Sequence, residues 1–97
     1  MDLKVSDNPE ELRYELHADG ELVGEIRYRR APGALALVHT EVEPRREGLG
    51  TELVRGALDD LRARGLKVIP VCPFVSAYIR RHPGYADLVT PDDATPE

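Results

Sequence analysis

The sequence contains few of the residue types that build disulfides, metal centres or stacking sites. Its 97 residues include one cysteine, no tryptophan, one phenylalanine and four tyrosines. A single cysteine, Cys72, cannot form an internal disulfide or a multi-cysteine metal site, so it is either a buried spectator or a free reactive thiol. The few aromatic residues do not cluster as they do in proteins that stack on RNA bases, which disfavours a nucleic-acid-binding domain.

Long apolar runs and excess positive charge are also missing. No apolar run approaches the roughly 20 residues that span a bilayer, and residues 1–7 lack the apolar segment of a signal peptide. We therefore expect a cytoplasmic protein with no membrane partner. The net charge of -5 argues against a nucleic-acid partner and favours a basic or neutral one. The length suits one domain, alone or in a small homo-oligomer.

The first half of the chain has the alternation and the turn residues of a β-meander. Strands are predicted at 13–17 and 22–28, joined by a tight turn at Asp19-Gly20. Pro32-Gly33 marks a second turn. The nearly continuous apolar run in 34–42 then predicts a central strand that is covered on both faces.

The second half changes to helical spacing. One apolar stripe begins after Gly48, and a helix carrying it is expected to close at Gly65. Residues 66–71 predict a strand that runs parallel to its neighbour through a right-handed crossover, and Pro73 can open a second helix that ends at 82–84. The stripe consists of Leu49, Leu53, Val54, Ala57, Leu58 and Leu61.

These elements predict an α+β fold in three layers. An antiparallel three-stranded meander is followed by a helix, a parallel strand and a second helix. We expect residues 1–89 to form the domain. The tail 90–97 is rich in Pro, Asp and Thr and is expected to fray.

The junction between the central strand and the first helix has the composition of an anion site. The first N–H groups of a helix have no partner within it, and the helix dipole places partial positive charge there. Gly48 and Gly50 would let a diphosphate approach the backbone, Arg45 and Arg46 supply countercharge, and Thr51 supplies a hydroxyl.

Other glycine-rich motifs fit this junction less well. A nucleoside-triphosphate loop needs Gly-Lys-Ser or Gly-Lys-Thr, and no lysine follows Gly50. A dinucleotide-binding turn needs a third glycine where Leu53 stands, and an early β-α-β unit. A purely structural role, in which the two glycines only shape a tight turn, stays open.

Residues 45–50, Arg-Arg-Glu-Gly-Leu-Gly, match the R-x-x-G-x-G signature of the GNAT acetyltransferases. The chain also resembles the short single-domain proteins of that superfamily over most of its length, from Asp7 to Val89. One departure is a somewhat shorter loop between Val42 and Gly48. Segments that carry the narrower resemblance are 39–42, 62–68, 71–74 and 78–83.

The resemblance implies that the protein binds acetyl-CoA. Pantetheine would lie beside Glu41 and Val42 at the end of the central strand. Pyrophosphate would lie on the backbone from Arg46 to Thr51, and Arg80 could contact the adenosine 3′-phosphate. The full set of expected cofactor-binding residues is Glu41, Val42, Arg45, Arg46, Glu47, Gly48, Leu49, Gly50, Thr51 and Arg80.

Acetyl transfer to an amine requires groups that move protons and polarise a thioester, and three residues are candidates. Cys72 would sit at the positive end of the second helix, where thiol pKa values fall, and short GNAT proteins carry a proposed catalytic cysteine there. The alternative is a small buried residue at a strand end. By resemblance, Tyr78 would protonate the departing CoA thiolate. Alternatively, it packs as an aromatic residue with Phe74.

The third candidate, His39, interrupts the apolar strand. It lies two residues before Glu41, so their side chains share a face. His39 is either a general base or a structural histidine, and Glu41 or Glu43 could also take the amine proton through water.

Two functions remain at this point. One is an N-acetyltransferase that acts on an amine, on a small molecule or a lysine side chain, and the acidic chain suits a cationic acceptor. The other is a non-catalytic CoA-binding or partner-binding module. The short stretch Asn8-Pro9-Glu10-Glu11 leaves no room for the N-terminal helices that shape the acceptor side in most GNAT enzymes.

Overall fold

The computed structural model describes residues 2–44 and 48–90, which form one mixed sheet with two α-helices. The strands are β1 (Leu3–Asn8), β2 (Arg13–Ala18), β3 (Glu21–Ala31), β4 (Ala34–Val42) and β5 (Lys67–Pro70). The helices are α1 (Leu49–Ala63) and α2 (Pro73–Arg81), followed by a 3-10 helix, Pro83–Leu88. The expected tail beyond residue 90 lies outside the described residues.

The sheet has the order β1-β2-β3-β4-β5, with β1 to β4 antiparallel and β5 parallel to β4. The predicted α+β class, the meander and the parallel strand after the long helix are confirmed. Sequence reasoning missed β1, because this edge strand offers the core only Leu3 and Val5, both partly buried. It pairs with β2 from Leu3 opposite Ala18 to Asn8 opposite Arg13.

Helix α1 forms where the apolar stripe predicts it, and it buries every residue of that stripe. Burying one Leu or Val side chain contributes about 1.5–3 kcal/mol, so the stripe is a major source of stability. The helix ends as its glycine predicts. Gly65 has φ +73°, its N–H donates to the Arg62 carbonyl, and the Leu66 N–H donates to the Leu61 carbonyl.

Both helices contribute to one apolar core that packs on the sheet. Tyr14 of β2 donates a 2.6 Å hydrogen bond to Asp60 of α1. On α2, Val75, Tyr78 and Ile79 belong to the same apolar core as the stripe of α1. Among the described residues, the helices therefore cover one face of the central strand, whereas its apolar run predicted cover on both faces.

The opposite face of the sheet carries a ladder of charged side chains. Arg13 bridges Glu15 and Glu25 at 2.8 and 2.7 Å, and Arg27 contacts Glu25 at 3.1 Å. Alternation along β2 and β3 points these residues away from the helices. Because these side chains form ion pairs with one another, this face of the sheet can face solvent without an apolar layer over it.

None of the helices in the described part of the chain is long and apolar enough to cross a membrane. Within the same residues, no three His, Cys, Asp or Glu side chains come together as a metal site.

Gly56 lets α1 approach the edge strand β1. A Cβ at this position would lie 2.5 Å from Cγ2 and 2.7 Å from Cβ of Val5. We expect Gly56→Ala to lower the free energy of unfolding by about 1–3 kcal/mol through overpacking, although alanine is the better helix former by about 1 kcal/mol. Urea denaturation followed by circular dichroism measures the change.

Two comparisons make this test specific. Gly84→Ala, at a glycine with no heavy atom within 4 Å of its ideal Cβ, should change stability by less than about 0.5 kcal/mol. In a Val5→Gly background, Gly56→Ala should become neutral or stabilising. If Gly56→Ala lowers the free energy of unfolding as much in that background as in the wild type, the contact between Gly56 and Val5 does not cause the destabilisation.

Candidate functional site

Strand β4 has an open edge at its carboxyl end. Strand β5 pairs with β4 only from Ala34 opposite Lys67 to Leu37 opposite Pro70. Pro70 has no N–H to continue the ladder. The chain then turns away, and the Cys72 N–H makes a 2.8 Å bond to the Leu37 carbonyl. Among residues 2–44 and 48–90, no strand pairs with that edge of β4 from 38 to 42.

The start of α2 joins this open edge to the first turn of α1, because Cys72 is bound to Leu37 of β4 and Phe74 lies against Gly50 of α1. Gly48 is the N-cap, with φ +82°, a left-handed conformation that favours glycine. The first intrahelical bond runs from Glu52 N–H to the Gly48 carbonyl at 3.1 Å. The N–H groups of Leu49, Gly50 and Thr51 precede it, and no side chain of the described residues caps them. This end of α1 therefore offers N–H donors and partial positive charge to an anion.

Three of the expected phosphate-turn residues, Arg45, Arg46 and Glu47, lie outside the described residues. The described part of the turn consists of the N-terminal residues of α1. Leu49 and Gly50 are buried, whereas Thr51 is exposed. Thr51 is thus a surface position at which a side chain can be changed without repacking the core.

Gly50 has a packing role that sequence reasoning missed. A Cβ on Gly50 would lie 2.8 Å from Cζ and 3.0 Å from Cε2 of Phe74. The Phe74 ring, near the start of α2, therefore lies directly against the first turn of α1. Because of this contact, a larger residue at 50 would disturb the helix packing whether or not an anion binds there.

Cys72 is the N-cap of α2, with Pro73 at the first helical position as expected. Its side chain is buried, and its sulfur lies 3.4 Å from the Thr40 hydroxyl. Burial raises the pKa of the Cys72 thiol, but Thr40 and the backbone N–H groups of Val75 and Phe74 outweigh it, so the pKa is lowered. The site combines a shielded sulfur with groups that stabilise its thiolate.

His39 and Glu41 lie on the other face of the sheet from Cys72. Thr40, between them in β4, points toward Cys72, and alternation sends its neighbours to the opposite face. His39 Nε2 and Glu41 Oε2 are 3.9 Å apart, and their side chains are 60% and 72% exposed. The structure brings His39 together with Glu41 and does not bring it together with Cys72.

Tyr78 lies in the interface between α2 and α1. It is buried and stacks on His82 with 4.1 Å between ring centroids. Burial raises the pKa of its phenol; on α1, Arg55 lowers that pKa, whereas Asp59 and Glu52 raise it. Arg80 is exposed, and its guanidinium bonds to the Ser76 hydroxyl at 3.2 Å. Tyr78 is therefore an interface aromatic whose ring contacts are with His82 and Tyr85, and its packing with Phe74 stays a prediction.

Glu41 and Val42 also line a shallow cleft of about 260 Å³ at the end of β4. Its other wall is the stretch 22–25 of β3, which includes Glu25. The cleft thus combines apolar and carboxylate groups over the paired ends of β3 and β4.

Thr40 and Phe74 are the two residues here that sequence reasoning did not single out for the site. Strand alternation carried a signal for Thr40, since it falls on the face opposite His39 and Glu41. Nothing in the sequence signalled that Phe74 would contact Gly50, because that contact depends on how α1 and α2 cross.

The chain matches the family model for GCN5-related N-acetyl-transferases over residues 13–88. Its fold is similar to the NMR solution structure of a GCN5-like candidate N-acetyltransferase from Staphylococcus aureus. The TM-score is 0.67 and the identity 22%, over 91% of this chain and 88% of that chain. No curated protein matches the chain significantly. At this identity the S. aureus structure supports the fold, whereas the family match spans most of the chain and confirms the resemblance seen in the sequence. The chain therefore belongs to the GCN5-related N-acetyltransferase family.

Proposed function

We propose that the protein transfers an acetyl group from acetyl-CoA to an amine. One observation carries the proposal: the start of α2 joins the open edge of β4 to the first turn of α1, whose N–H groups no described side chain caps, in a chain of this family. The strand edge offers backbone groups to the amides of pantetheine, and the helix end offers N–H groups to a diphosphate. These two features suit two consecutive parts of CoA.

The residues proposed to hold the donor follow from this placement. Backbone groups at Glu41 and Val42 would bind pantetheine, and those of the first turn of α1 would bind pyrophosphate. Gly48 allows the chain to enter the helix in its left-handed conformation. We also assign countercharge to Arg45, Arg46 and Arg80, and include Glu47 in the turn, as the resemblance implies.

Acetyl-CoA would supply an activated thioester, and the protein must then remove a proton from the amine and provide one for the leaving thiolate. His39 and Glu41 lie on the open face, where an acceptor can approach them. Tyr78 is protonated at neutral pH, since its phenol has a pKa above the ordinary value of about 10, so it carries the proton that the leaving thiolate requires. Cys72 would lie at the thioester end, since it follows the last residue of β5 that pairs with β4.

The proposed acceptor is a primary amine, on a small molecule or a lysine side chain, and cationic before it reacts. The net charge of -5 favours such a partner. The cleft at Glu41 and Glu25 provides carboxylates beside the end of β4.

A second candidate function is a CoA-binding module without catalysis. One observation favours it: the face that carries His39 and Glu41 has no helix over it among the described residues, so no walls enclose an acceptor there. Donor binding would be the same in both cases. Amine-dependent turnover separates them.

Thr51 offers a test of donor binding that leaves the core untouched. Thr51→Asp places a carboxylate in the first turn of α1, where it favours the helix but repels a diphosphate. We expect the variant to melt at the wild-type temperature or slightly above, and its affinity for CoA to fall about tenfold or more, or about 1.4 kcal/mol. Calorimetric titration and thermal melting with CoA measure the two effects.

The matched control is Thr51→Asn, which has the same shape as the aspartate variant and no charge. It should bind CoA about tenfold or more tightly than Thr51→Asp, because the two variants differ only in charge. Wild-type protein at about 100 times the dissociation constant of CoA should gain roughly 2.7 kcal/mol of stability. Equal CoA affinity in the Asp and Asn variants would show that the diphosphate does not bind at this helix end.

Catalysis is tested by release of CoA from acetyl-CoA with a panel of primary amines and lysine peptides. We expect amine-dependent release in the wild type and Thr51→Asn, and loss in Thr51→Asp at subsaturating acetyl-CoA. Cys72→Ala and Tyr78→Phe should each lower kcat. CoA binding without release by any amine would favour the non-catalytic module, and unchanged kcat in both variants would refute the assigned roles.

A further inference from the structure

We propose that Thr40 is the positioning residue for Cys72: its hydroxyl donates a hydrogen bond that holds the sulfur at the open edge of β4 and stabilises its thiolate. The role of this pair in acetyl transfer rests on the proposed function. The pair itself rests on contacts within this chain.

The geometry fixes the sulfur from two sides. The Cys72 N–H is bound to the Leu37 carbonyl of β4 at 2.8 Å, which anchors the backbone. Three residues along the same strand, the Thr40 hydroxyl lies 3.4 Å from the sulfur, which anchors the side chain. One strand therefore sets both the position and the direction of the Cys72 side chain.

The chemistry of the contact favours one direction of donation. A neutral thiol and a hydroxyl can each donate to the other, whereas a thiolate can only accept. The hydrogen bond is then strongest in the ionised state, because bonds to charged groups are roughly twice as strong as neutral ones. Thr40 thereby shifts the balance toward the thiolate.

Among the described residues, the other groups that favour the thiolate are backbone N–H groups. The backbone N–H groups of Val75 and Phe74, at the start of α2, help to lower the pKa of Cys72 against its burial. On β4, His39 and Glu41 point to the opposite face. On α1, Glu52 and Arg55 pair with each other.

A substitution at Thr40 is thus expected to change the ionisation of the Cys72 thiol selectively. Valine has nearly the shape of threonine without the donor, and serine keeps the donor without the methyl group. Loss of one hydrogen bond to the thiolate should raise the pKa of Cys72 by about half a unit to one unit.

The experiment is the pH dependence of alkylation by iodoacetamide, followed by mass spectrometry. Cys72 is the one cysteine in the chain, so Cys72→Ala gives a blank. We expect the midpoint of the rate profile to rise in Thr40→Val by the amount given above, and to return close to wild type in Thr40→Ser. The midpoint is the readout because a mere change in access would alter the rate at every pH equally.

Coincident midpoints for wild type and Thr40→Val would overturn the proposal, as would a serine variant that behaves like valine. If Thr40→Val fails to fold, Thr40→Ala replaces it with the same expected shift. Alkylation needs no CoA, so a shifted midpoint in a protein that does not bind CoA would reject the proposed function and leave the pair intact. Unshifted midpoints in a protein that binds CoA normally would reject the pairing of Thr40 with Cys72 and leave the proposed function intact.

Discussion

The early end of the pairing between β4 and β5 is the constraint on which the rest of the site depends. Strand β5 is four residues long and ends at Pro70, which cannot donate to the ladder. The chain must therefore leave β4 after Leu37, and it is held there by the Cys72 N–H. That departure opens the edge of β4, places Cys72 beside Thr40, and starts α2 at a position where it can reach the first turn of α1.

Two glycines allow the helices to pack closely against the sheet and against each other. Gly56 brings α1 close to Val5 on the edge strand, and Gly50 admits the Phe74 ring between the starts of the two helices. A single core then forms on one face of the sheet, and charge pairs stabilise the other. The arrangement couples the helix end proposed for diphosphate to the helix that carries the thiol, because Phe74 lies between them.

Patterns within one element predicted more than contacts between elements. The stripe of α1 and the closing turn at Gly65 followed from local chemistry, and so did the strands of the meander. Strand β1 was missed because its pattern is short and only half buried. The contact of Phe74 with Gly50 and the pairing of Thr40 with Cys72 join residues far apart in sequence, and only tertiary packing brings them together. The placement of both helices on one face was likewise not visible in either helix alone.

CoA binding at the end of β4 and the start of α1 is tested by titrating the isotope-labelled protein with CoA and following the amide shifts of each residue. The largest changes are expected at 38–42 on β4 and at 48–51 at the start of α1. A cleft of about 340 Å³ at the other end of β4, lined by Arg30 and Arg64, is the competing place for a phosphate. Changes concentrated at Arg30, Arg64 and Leu66, with 38–42 and 48–51 unmoved, would contradict this placement of CoA.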